Sequence, residues 1–301
     1  MGNETIFYYV TEEMITGYKR TVKLRFWQKM RLSSFVVEKE EITIAAVMVP
    51  ALSKGWKSEK LLRLMRETME EHPLYSGSVR VLIQPGMQFL LAEQEHSDFE
   101  TSKIRPQSDA FLSIGFPLTG KILRERFPLQ NRKDGPESVV LLLGELFFPE
   151  EQLRHFADMI QPYLPRVNAL TVIYGTGDIA ESGTEDAVES KTAEETGRLE
   201  EVIQEYTEEL YYEYGLVSQV LSGDAASIKR HSLPGGQSPV LFLDYGYPGT
   251  QPFRMLKESD VYIDIASSEE KEALFRRKYR GIFYQSPRKY LDTMVKSGYD
   301  K

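Results

Sequence analysis

Residues 175–180, GTGDIA, form the segment of this chain that most resembles a ligand-binding motif. Gly175, Gly177 and Ala180 match the pattern G-x-G-x-x-G/A, in which glycines let the backbone approach a pyrophosphate. The pattern also requires a helix to begin at once, because the amide groups of its first turn bind the phosphate oxygens. The residues that follow, ESGTEDAVES, are acidic and lack helical periodicity. The motif is therefore incomplete, and the alternative is that residues 175–192 form a long exposed loop.

Two cations near the end of the chain occupy positions that a helix disfavours. Ser286 and Pro287 predict the N-cap and first turn of a last helix, and Arg288 and Lys289 follow directly. The helix dipole disfavours a cation there by about 0.3–1 kcal/mol, so this placement suggests a nearby anion. The basic residues 229–231 are a candidate for a second wall of the same anion site. The alternative is that both groups are solvated surface residues.

Glycines, acids and hydroxyl residues follow the predicted strands of the second half of the chain. In an open parallel sheet the ligand crevice lies beyond the carboxyl ends of the strands, so these residues are candidates for ligand binding. The alternative is that they are ordinary turn and cap residues. Together with the two cations, the candidate set is Gly144, Glu145, Gly175, Gly177, Asp178, Asp244, Asp264, Ser267, Ser286, Arg288 and Lys289.

The composition excludes several kinds of chemistry. The chain has no cysteine, and no two of its four histidines lie at ligand spacing on a common helix face, so thiolate and histidine-rich metal sites are not expected. No P-loop, zinc motif or Ser-His-Asp order occurs. The sequence therefore predicts no metal site and leaves the catalytic residues and the cofactor unassigned. A Mg²⁺ bound by carboxylates from separate strand ends remains an open alternative.

Residues 260–295 predict the elements that position these side chains. A short β-branched strand over 261–265 is followed by Ser267, three residues before Glu270, which is the spacing of a capping box. The helix that follows ends in cations and Gly281, as helix C-termini favour. A second strand over 282–284 and a helix from Pro287 complete a strand-helix-strand-helix unit. Such units are typical of a parallel α/β sheet.

A second unit of this kind spans residues 139–174, after the polar segment 129–138, which is the best candidate for a linker. We therefore predict an α/β protein whose C-terminal domain, residues 137–301, is Rossmann-like, with a mainly parallel sheet and helices on both faces. A smaller α+β domain with antiparallel strands, residues 1–133, precedes it.

The first domain carries a basic face. Residues 21–32 alternate between apolar and mostly basic side chains, which predicts a strand whose solvated face either binds an acidic partner or prevents edge-to-edge pairing. We favour the second interpretation. Residues 1–136 carry 20 basic and 17 acidic side chains, whereas the remainder carries 17 and 28. The acidic second part makes a nucleic-acid partner unlikely on electrostatic grounds.

A helix predicted to begin at Thr192 carries an apolar and aromatic stripe over residues 199–214. Such a face is typical of a protein core or of a subunit interface, so a homo-oligomer through this helix is one expectation.

The chain begins without a signal-like segment and lacks any apolar run of about 18 residues, which argues against a membrane protein. The absence of cysteine favours a reducing compartment, and a soluble cytoplasmic protein is expected.

The sequence leaves two functions open. The first is binding of a small anionic ligand, nucleotide-like or phosphorylated, in the C-terminal crevice, with or without catalysis. The second is a non-catalytic role in protein interaction or regulation.

Overall fold

The structure is a computed structural model of the 301-residue chain. It describes residues 4–18, 21–22, 31–39, 42–52, 58–75, 80–84, 87, 118–128, 135–143, 149–174, 185–222, 229–230, 233, 238–247, 255–279 and 281–300. The chain divides into two compact units. The first contains residues 1–113 and 291–301, and the second contains residues 114–290. Most of the predicted linker, residues 129–134, lies outside the described residues.

The first unit is built on a four-stranded mixed sheet. Its strands and helices are β1 (Glu4–Thr11), α1 (Glu12–Thr16), β2 (Thr21–Val22), β3 (Ser33–Lys39), β4 (Ile42–Val49), β5 (Ala51–Leu52), α2 (Ser58–Glu70) and β6 (Arg80–Ile83). The sheet order is β3-β4-β1-β6, and β2 pairs with β5 separately.

The pairing in this sheet differs from an all-antiparallel arrangement. The β3–β4 pair is antiparallel, but β1 is parallel to both β4 and β6. Both parallel pairs are formed by strands that are distant in sequence, as parallel pairing requires: α1, β2 and β3 lie between β1 and β4, and α2 lies between β4 and β6. Of the alternating segment 21–32, residues 23–30 lie outside the described residues, so its basic face stays a prediction.

The second unit contains a six-stranded parallel sheet. Its elements are β7 (Ser138–Leu143), α3 (Pro149–Ile160), β8 (Ala169–Tyr174), α4 (Glu185–Tyr214), β9 (Val217–Ser222), β10 (Val240–Tyr245), β11 (Val261–Asp264), α5 (Glu269–Lys278), β12 (Phe283–Gln285) and α6 (Pro287–Tyr299). The strand order is β12-β11-β10-β7-β8-β9, with every neighbouring pair parallel.

Numbered within this unit, the strand order is 3-2-1-4-5-6, which is that of the Rossmann fold. The apolar runs of β7, β8 and β10 are buried along their whole length, as strands covered on both faces require. These observations confirm the predicted fold class, an α/β protein with a Rossmann-like parallel sheet.

Helix α4 begins earlier than the sequence pattern predicted. It starts at Glu185, so residues 185–192 are helical and the expectation of a loop reaching to residue 192 is wrong there. The segment lacks apolar periodicity, but glutamate, alanine and lysine are strong helix formers, and acids near an N-terminus are favoured by the dipole. Helix propensity therefore outweighs the missing apolar stripe.

A row of aromatic side chains crosses one face of the second sheet. Phe242, Tyr262 and Tyr284 occupy the same register position on β10, β11 and β12, and neighbouring rings in the row lie 6.0 and 6.1 Å apart. Phe275 of α5 covers this row, with its ring 4.6 Å from those of both tyrosines. Offset aromatic contacts of this kind each contribute about 0.5–1.5 kcal/mol beyond burial. The row thereby fixes α5 over β11 and β12.

The last helix packs with the first unit over residues 291–299. The hydroxyl of Tyr8 on β1 donates to Oδ1 of Asp292 at 2.6 Å, and the ring of Tyr299 lies 5.5 Å from that of Phe35 on β3. Among the described residues, no helix is both long and apolar enough to cross a membrane.

Candidate functional site

The strand order locates the edge of the sheet at which a ligand crevice is expected. In a Rossmann sheet, the crevice lies beyond the carboxyl ends of the strands where the chain order reverses, which here is between β7 and β10. Asp244 lies near the end of β10, and Asp264 is the last residue of β11. The two residues are aligned partners in the parallel pair, so their side chains leave the same face of the sheet at the same edge.

Asp244 is fully buried and has hydrogen-bond donors on both carboxylate oxygens. Its Oδ1 accepts a bond from the backbone N–H of Tyr247 at 2.8 Å, across a turn in which Gly246 has the left-handed φ of 80°. Its Oδ2 accepts bonds from the hydroxyl of Tyr262 and from Nζ of Lys271, the latter at 2.6 Å. The ammonium group supplies the opposite charge that a buried carboxylate requires.

Asp264 is equally buried, but the donors among the described residues reach one of its oxygens only. Its Oδ2 accepts bonds from the backbone N–H of Ser268 at 2.8 Å and from the hydroxyl of Tyr284 at 2.9 Å. Its Oδ1 has no hydrogen-bond partner among the described residues. The two aligned aspartates therefore have very different surroundings.

This difference changes the acidity of Asp264. The pKa of its carboxyl group is raised from 3.8 to about 7, mainly by burial and secondly by the negative charge of Asp244. The charge of Lys271 and the hydrogen bonds from Tyr284 and Ser268 act in the opposite direction. A buried acid with a pKa near neutrality can be protonated or ionised under physiological conditions, which is typical of functional carboxyl groups.

Each aspartate is bound by a tyrosine of the neighbouring strand. Tyr262 of β11 donates to Asp244 of β10, and Tyr284 of β12 donates to Asp264 of β11. In both pairs the tyrosine lies two residues before the register partner of the aspartate, which makes the contacts diagonal. Burial raises the pKa of both tyrosines, with the nearby aspartate charges adding to the effect, so both hydroxyls remain donors.

Helix α5 brings Lys271 to this edge of the sheet. The N-cap of α5 is Ser268, whose side chain accepts a bond from the N–H of Lys271 at 3.3 Å. The capping box predicted at Ser267 is therefore wrong by one residue. Ser267 instead adopts the left-handed φ of 59°, and its Oγ accepts a bond from the N–H of Arg288 at 3.3 Å. The turn Asp264–Ser267 delays the helix by one position because the chain must first reverse there.

The first turn of α6 lies beside the same turn. Ser286 is fully buried, and its Oγ accepts a bond from the N–H of Lys289 at 3.2 Å. The guanidinium of Arg288 is 7% exposed and contacts Oε2 of Glu272 and Oε1 of Glu269, the latter at 3.5 Å. Nζ of Lys289 donates to the carbonyl oxygen of Tyr284 at 3.1 Å. Carboxylates of the chain itself therefore face Arg288.

Arg230, in the basic segment suggested as a second wall, lies elsewhere. Its guanidinium binds both carboxylate oxygens of Asp260, at 2.5 and 3.0 Å, and Asp260 directly precedes β11. Asp260 and Asp264 are separated by the length of the strand, about 13 Å at the usual rise per residue. Arg230 belongs to the amino end of the sheet and not to the edge that carries Asp264; His231 lies outside the described residues.

The structure brings together some of the predicted site residues. Asp244 and Asp264 are aligned, and Ser267, Ser286, Arg288 and Lys289 surround the turns that follow β11 and β12. Gly144, Glu145, Gly175, Gly177 and Asp178 lie outside the described residues. Ligand binding by any of these residues stays a prediction. The described part of the chain contains no group of three or more metal-ligating side chains.

Sequence reasoning missed Lys271, Glu272 and the two tyrosines. A signal for the tyrosines exists, because an aromatic-x-polar triplet lies at or near the carboxyl end of three neighbouring strands, β10, β11 and β12: Phe242–Asp244, Tyr262–Asp264 and Tyr284–Ser286. A repeated triplet of this kind predicts an aromatic row and a polar row two residues apart along the strands and on the same face. No local pattern indicates that Lys271 faces Asp244 across 27 positions of sequence.

Comparison with known proteins gives little similarity. No family model matches the sequence, and no curated protein matches it. Among solved structures, one described as "Trehalose-6-phosphate from E. coli bound with UDP-2-fluoro glucose" shares 9% sequence identity, over 99% of this chain and 90% of that chain, with a TM-score of 0.26. A likeness at this TM-score supports no argument about function.

Proposed function

We propose that the parallel-sheet unit, residues 114–290, binds a small anionic ligand, nucleotide-like or phosphorylated, beyond the carboxyl ends of β7, β10 and β11. The observation that carries this proposal is the Rossmann strand order, with its reversal between β7 and β10. Open α/β sheets bind their ligands at that position. The proposal concerns binding and assigns no reaction.

The charges at this edge are compatible with an anion. The sequence places several acids there, but Asp244 is paired with Lys271, and Glu272 is paired with Arg288. Burial raises the pKa of Asp264 to about 7, so a substantial part of this group is neutral at physiological pH. The acids therefore repel a phosphate less than their number suggests.

The first turn of α6 supports the same proposal. It contains Arg288 and Lys289 and no acidic residue. The amide groups of Arg288 and Lys289 already donate to hydroxyls of the chain, so the support comes from the two cations and from the positive end of the helix dipole, which favours anions at such a position. Lys289 is the better residue to test, because Arg288 is paired with two glutamates of α5, whereas Nζ of Lys289 donates to a neutral acceptor, the carbonyl oxygen of Tyr284.

The test is a binding screen with pyrophosphate, ADP and glucose 6-phosphate as probes. A ligand that binds the folded protein raises the melting temperature by mass action, and calorimetry then gives Kd. We expect Lys289→Glu to raise Kd for the binding probe at least tenfold. Lys296→Glu, an exposed residue of the same helix with the same charge change, is the matched control and should leave Kd unchanged. Failure of all probes to bind, or equal effects of both variants, would contradict the proposal.

A second function, interaction with a protein partner, is favoured by one exposed region. Tyr211 and Tyr212 of α4 are 58% and 83% exposed, and Val217 of the adjacent edge strand β9 is 58% exposed. β9 is the last strand of the sheet that the described residues form, and exposed aromatic side chains beside an edge strand are typical of interaction surfaces. Light scattering of wild type and of the Tyr211→Ser/Tyr212→Ser variant tests for self-association, which the variant should abolish.

A further inference from the structure

The Oδ1 atom of Asp264 is the feature of the site that its structural role leaves unexplained. Oδ2 satisfies both donors that reach the group, the N–H of Ser268 and the hydroxyl of Tyr284. Oδ1 is buried, and none of the described residues donates to it or accepts from it. A buried polar atom without a partner typically costs about 1–3 kcal/mol. Such an atom at the ligand edge of a Rossmann sheet calls for an explanation.

The groups around Asp264 determine which form of the carboxyl group fits best. Asp244 on β10 adds negative charge, and Lys271 on α5 has its ammonium group against Asp244 rather than against Asp264. On the strands, the hydroxyls of Tyr262 and Tyr284 face the two aspartates. The remaining charged groups of α5 and α6 near Tyr284 are Glu272 and Arg288, which pair with each other. No cation among these groups is dedicated to Asp264, which favours its neutral form.

The hydrogen bonds also determine where the proton lies. Oδ2 already accepts two hydrogen bonds, so its lone pairs are engaged and a proton on Oδ2 would displace one donor. The proton of the neutral acid therefore lies on Oδ1. In that form Oδ1 is a buried hydrogen-bond donor that lacks an acceptor among the described residues.

We propose that Asp264 is a ligand-binding residue that donates the hydrogen bond of its protonated Oδ1 to an oxygen of the anionic ligand. This inference rests on the proposed function and assigns the group that contacts the phosphate-like oxygen. A neutral carboxylic acid can donate to an oxyanion, whereas an ionised carboxylate only repels it. Lys271 is bound to Asp244, and its charge opposes protonation of Asp264, so burial and the charge of Asp244 are what favour the proton on Asp264.

The proposal predicts that ligand binding and protonation of Asp264 are coupled. An anion beside Oδ1 stabilises the protonated form, so binding takes up a proton where free Asp264 is ionised. Affinity should therefore fall as the pH rises above the range in which Asp264 keeps its proton, by up to tenfold per pH unit. Asn at this position keeps a donor but cannot lose a proton, so Asp264→Asn should remove this part of the pH dependence.

The experiment follows the carboxyl ¹³C signals of aspartate-labelled protein from pH 5 to 9, with and without pyrophosphate. The signal of Asp264 is assigned by its loss in D264N, and D300N, which removes an exposed aspartate, is the matched control. We expect the titration midpoint of Asp264 to rise when pyrophosphate is added. Calorimetry should give similar Kd values for wild type and D264N at pH 6, but a Kd for D264N at least tenfold lower than that of wild type at pH 9. The ratio of the two values cancels the ionisation of pyrophosphate itself.

The outcomes separate this inference from the function on which it rests. If pyrophosphate binds but the midpoint of Asp264 and the ratio of Kd values stay constant, Asp264 does not contact the ligand, and the anion site stands without it. If pyrophosphate does not bind at all, a phosphate-like ligand is excluded together with this role of Asp264. Should D264N fail to fold, the midpoint in wild type, assigned through its backbone resonances, decides the question alone.

Discussion

Asp244 and Asp264 leave adjacent parallel strands at the same register position, yet among the described residues an ammonium group, Nζ of Lys271 at 2.6 Å, binds Asp244 and not Asp264. The two carboxyl groups share one edge, one face and full burial. Their difference comes from α5, whose first turn directs Lys271 over β10. A single side chain of the helix thus makes two equivalent backbone positions chemically different.

The pair between Lys271 and Asp244 should be required for stability. Lys271→Met keeps the length of the side chain but leaves a buried carboxylate without its cation, which typically costs about 3–5 kcal/mol. Urea denaturation should show this loss, and the double variant Lys271→Met/Asp244→Asn should be more stable than Lys271→Met alone. Lys278→Met, an exposed position of the same helix, is the control. If Lys271→Met and Lys278→Met are equally stable, the buried pair contributes nothing to stability.

The hydroxyl of Tyr284 should stabilise the ionised form of Asp264. Tyr284→Phe removes one of the two donors to Oδ2, so the pKa of Asp264 should rise further above its value of about 7. A hydrogen bond to a charged acceptor contributes about 1.5–3 kcal/mol, so the variant should lose more stability at pH 8, where Asp264 is ionised, than at pH 5. Tyr211→Phe, at an exposed tyrosine, should have no effect at either pH. A loss for Tyr284→Phe that is the same at both pH values would contradict this role.

Asp264 should make the folded protein less stable as the pH rises. Its pKa is raised from 3.8 to about 7 in the folded state, so between these values the folded protein binds a proton that the unfolded chain has lost. The contribution of this group is therefore complete below about pH 4 and is lost as the pH rises through 7, by up to about 1.4 kcal/mol per pH unit.

The measurement compares the free energies of unfolding of wild type and Asp264→Asn between pH 5 and 8. The difference between the two proteins isolates this group from the other carboxylates, whose pKa values ordinarily lie below that range. Wild type should lose stability relative to Asp264→Asn as the pH rises. If the difference in free energy of unfolding between the two proteins is constant with pH, or changes in the opposite direction, the pKa of Asp264 is not raised in the folded state.

The sequence predicts the strands of the second sheet and their carboxyl ends, because short apolar runs mark each strand locally. The short apolar runs that become β7, β8, β10 and β11 are buried along their length. Asp244 lies near the end of β10, and Asp264 ends β11. Burial on both faces requires such runs, so the fold class follows from the pattern. The parallel pairing then aligns the two aspartates without further information.

The contacts that give the edge its chemistry are not local and could not be predicted. Lys271 and Asp244 meet across 27 positions, and Arg288 and Glu272 across 16. The helix dipole indicates an anion beside Arg288 but does not tell whether the anion belongs to a ligand or to the chain. Which face of α5 turns toward the sheet decides both contacts, and that face is fixed by the packing of Phe275 on Tyr262 and Tyr284.

Gly298 of α6 should be required by a close contact and not by backbone conformation. A Cβ atom at this position would lie 2.4 Å from Cγ2 of Val37 on β3, whereas one at Gly120, in the helical residues 118–126, would meet nothing within 4 Å. Glycine in an exposed helix typically costs about 1 kcal/mol relative to alanine. Gly120→Ala should therefore raise the free energy of unfolding, while Gly298→Ala should lower it, because the β-branched Val37 has little freedom to move.

Removing the obstacle should reverse the sign of the second substitution. In a Val37→Ala background, Gly298→Ala has room for its methyl group, so the double variant should be more stable than Val37→Ala alone by about the helix propensity difference. Urea denaturation of the four proteins measures this as a double-mutant cycle. If Gly298→Ala stabilises the otherwise unchanged protein as Gly120→Ala does, then α6 does not pack on β3 as the structure describes.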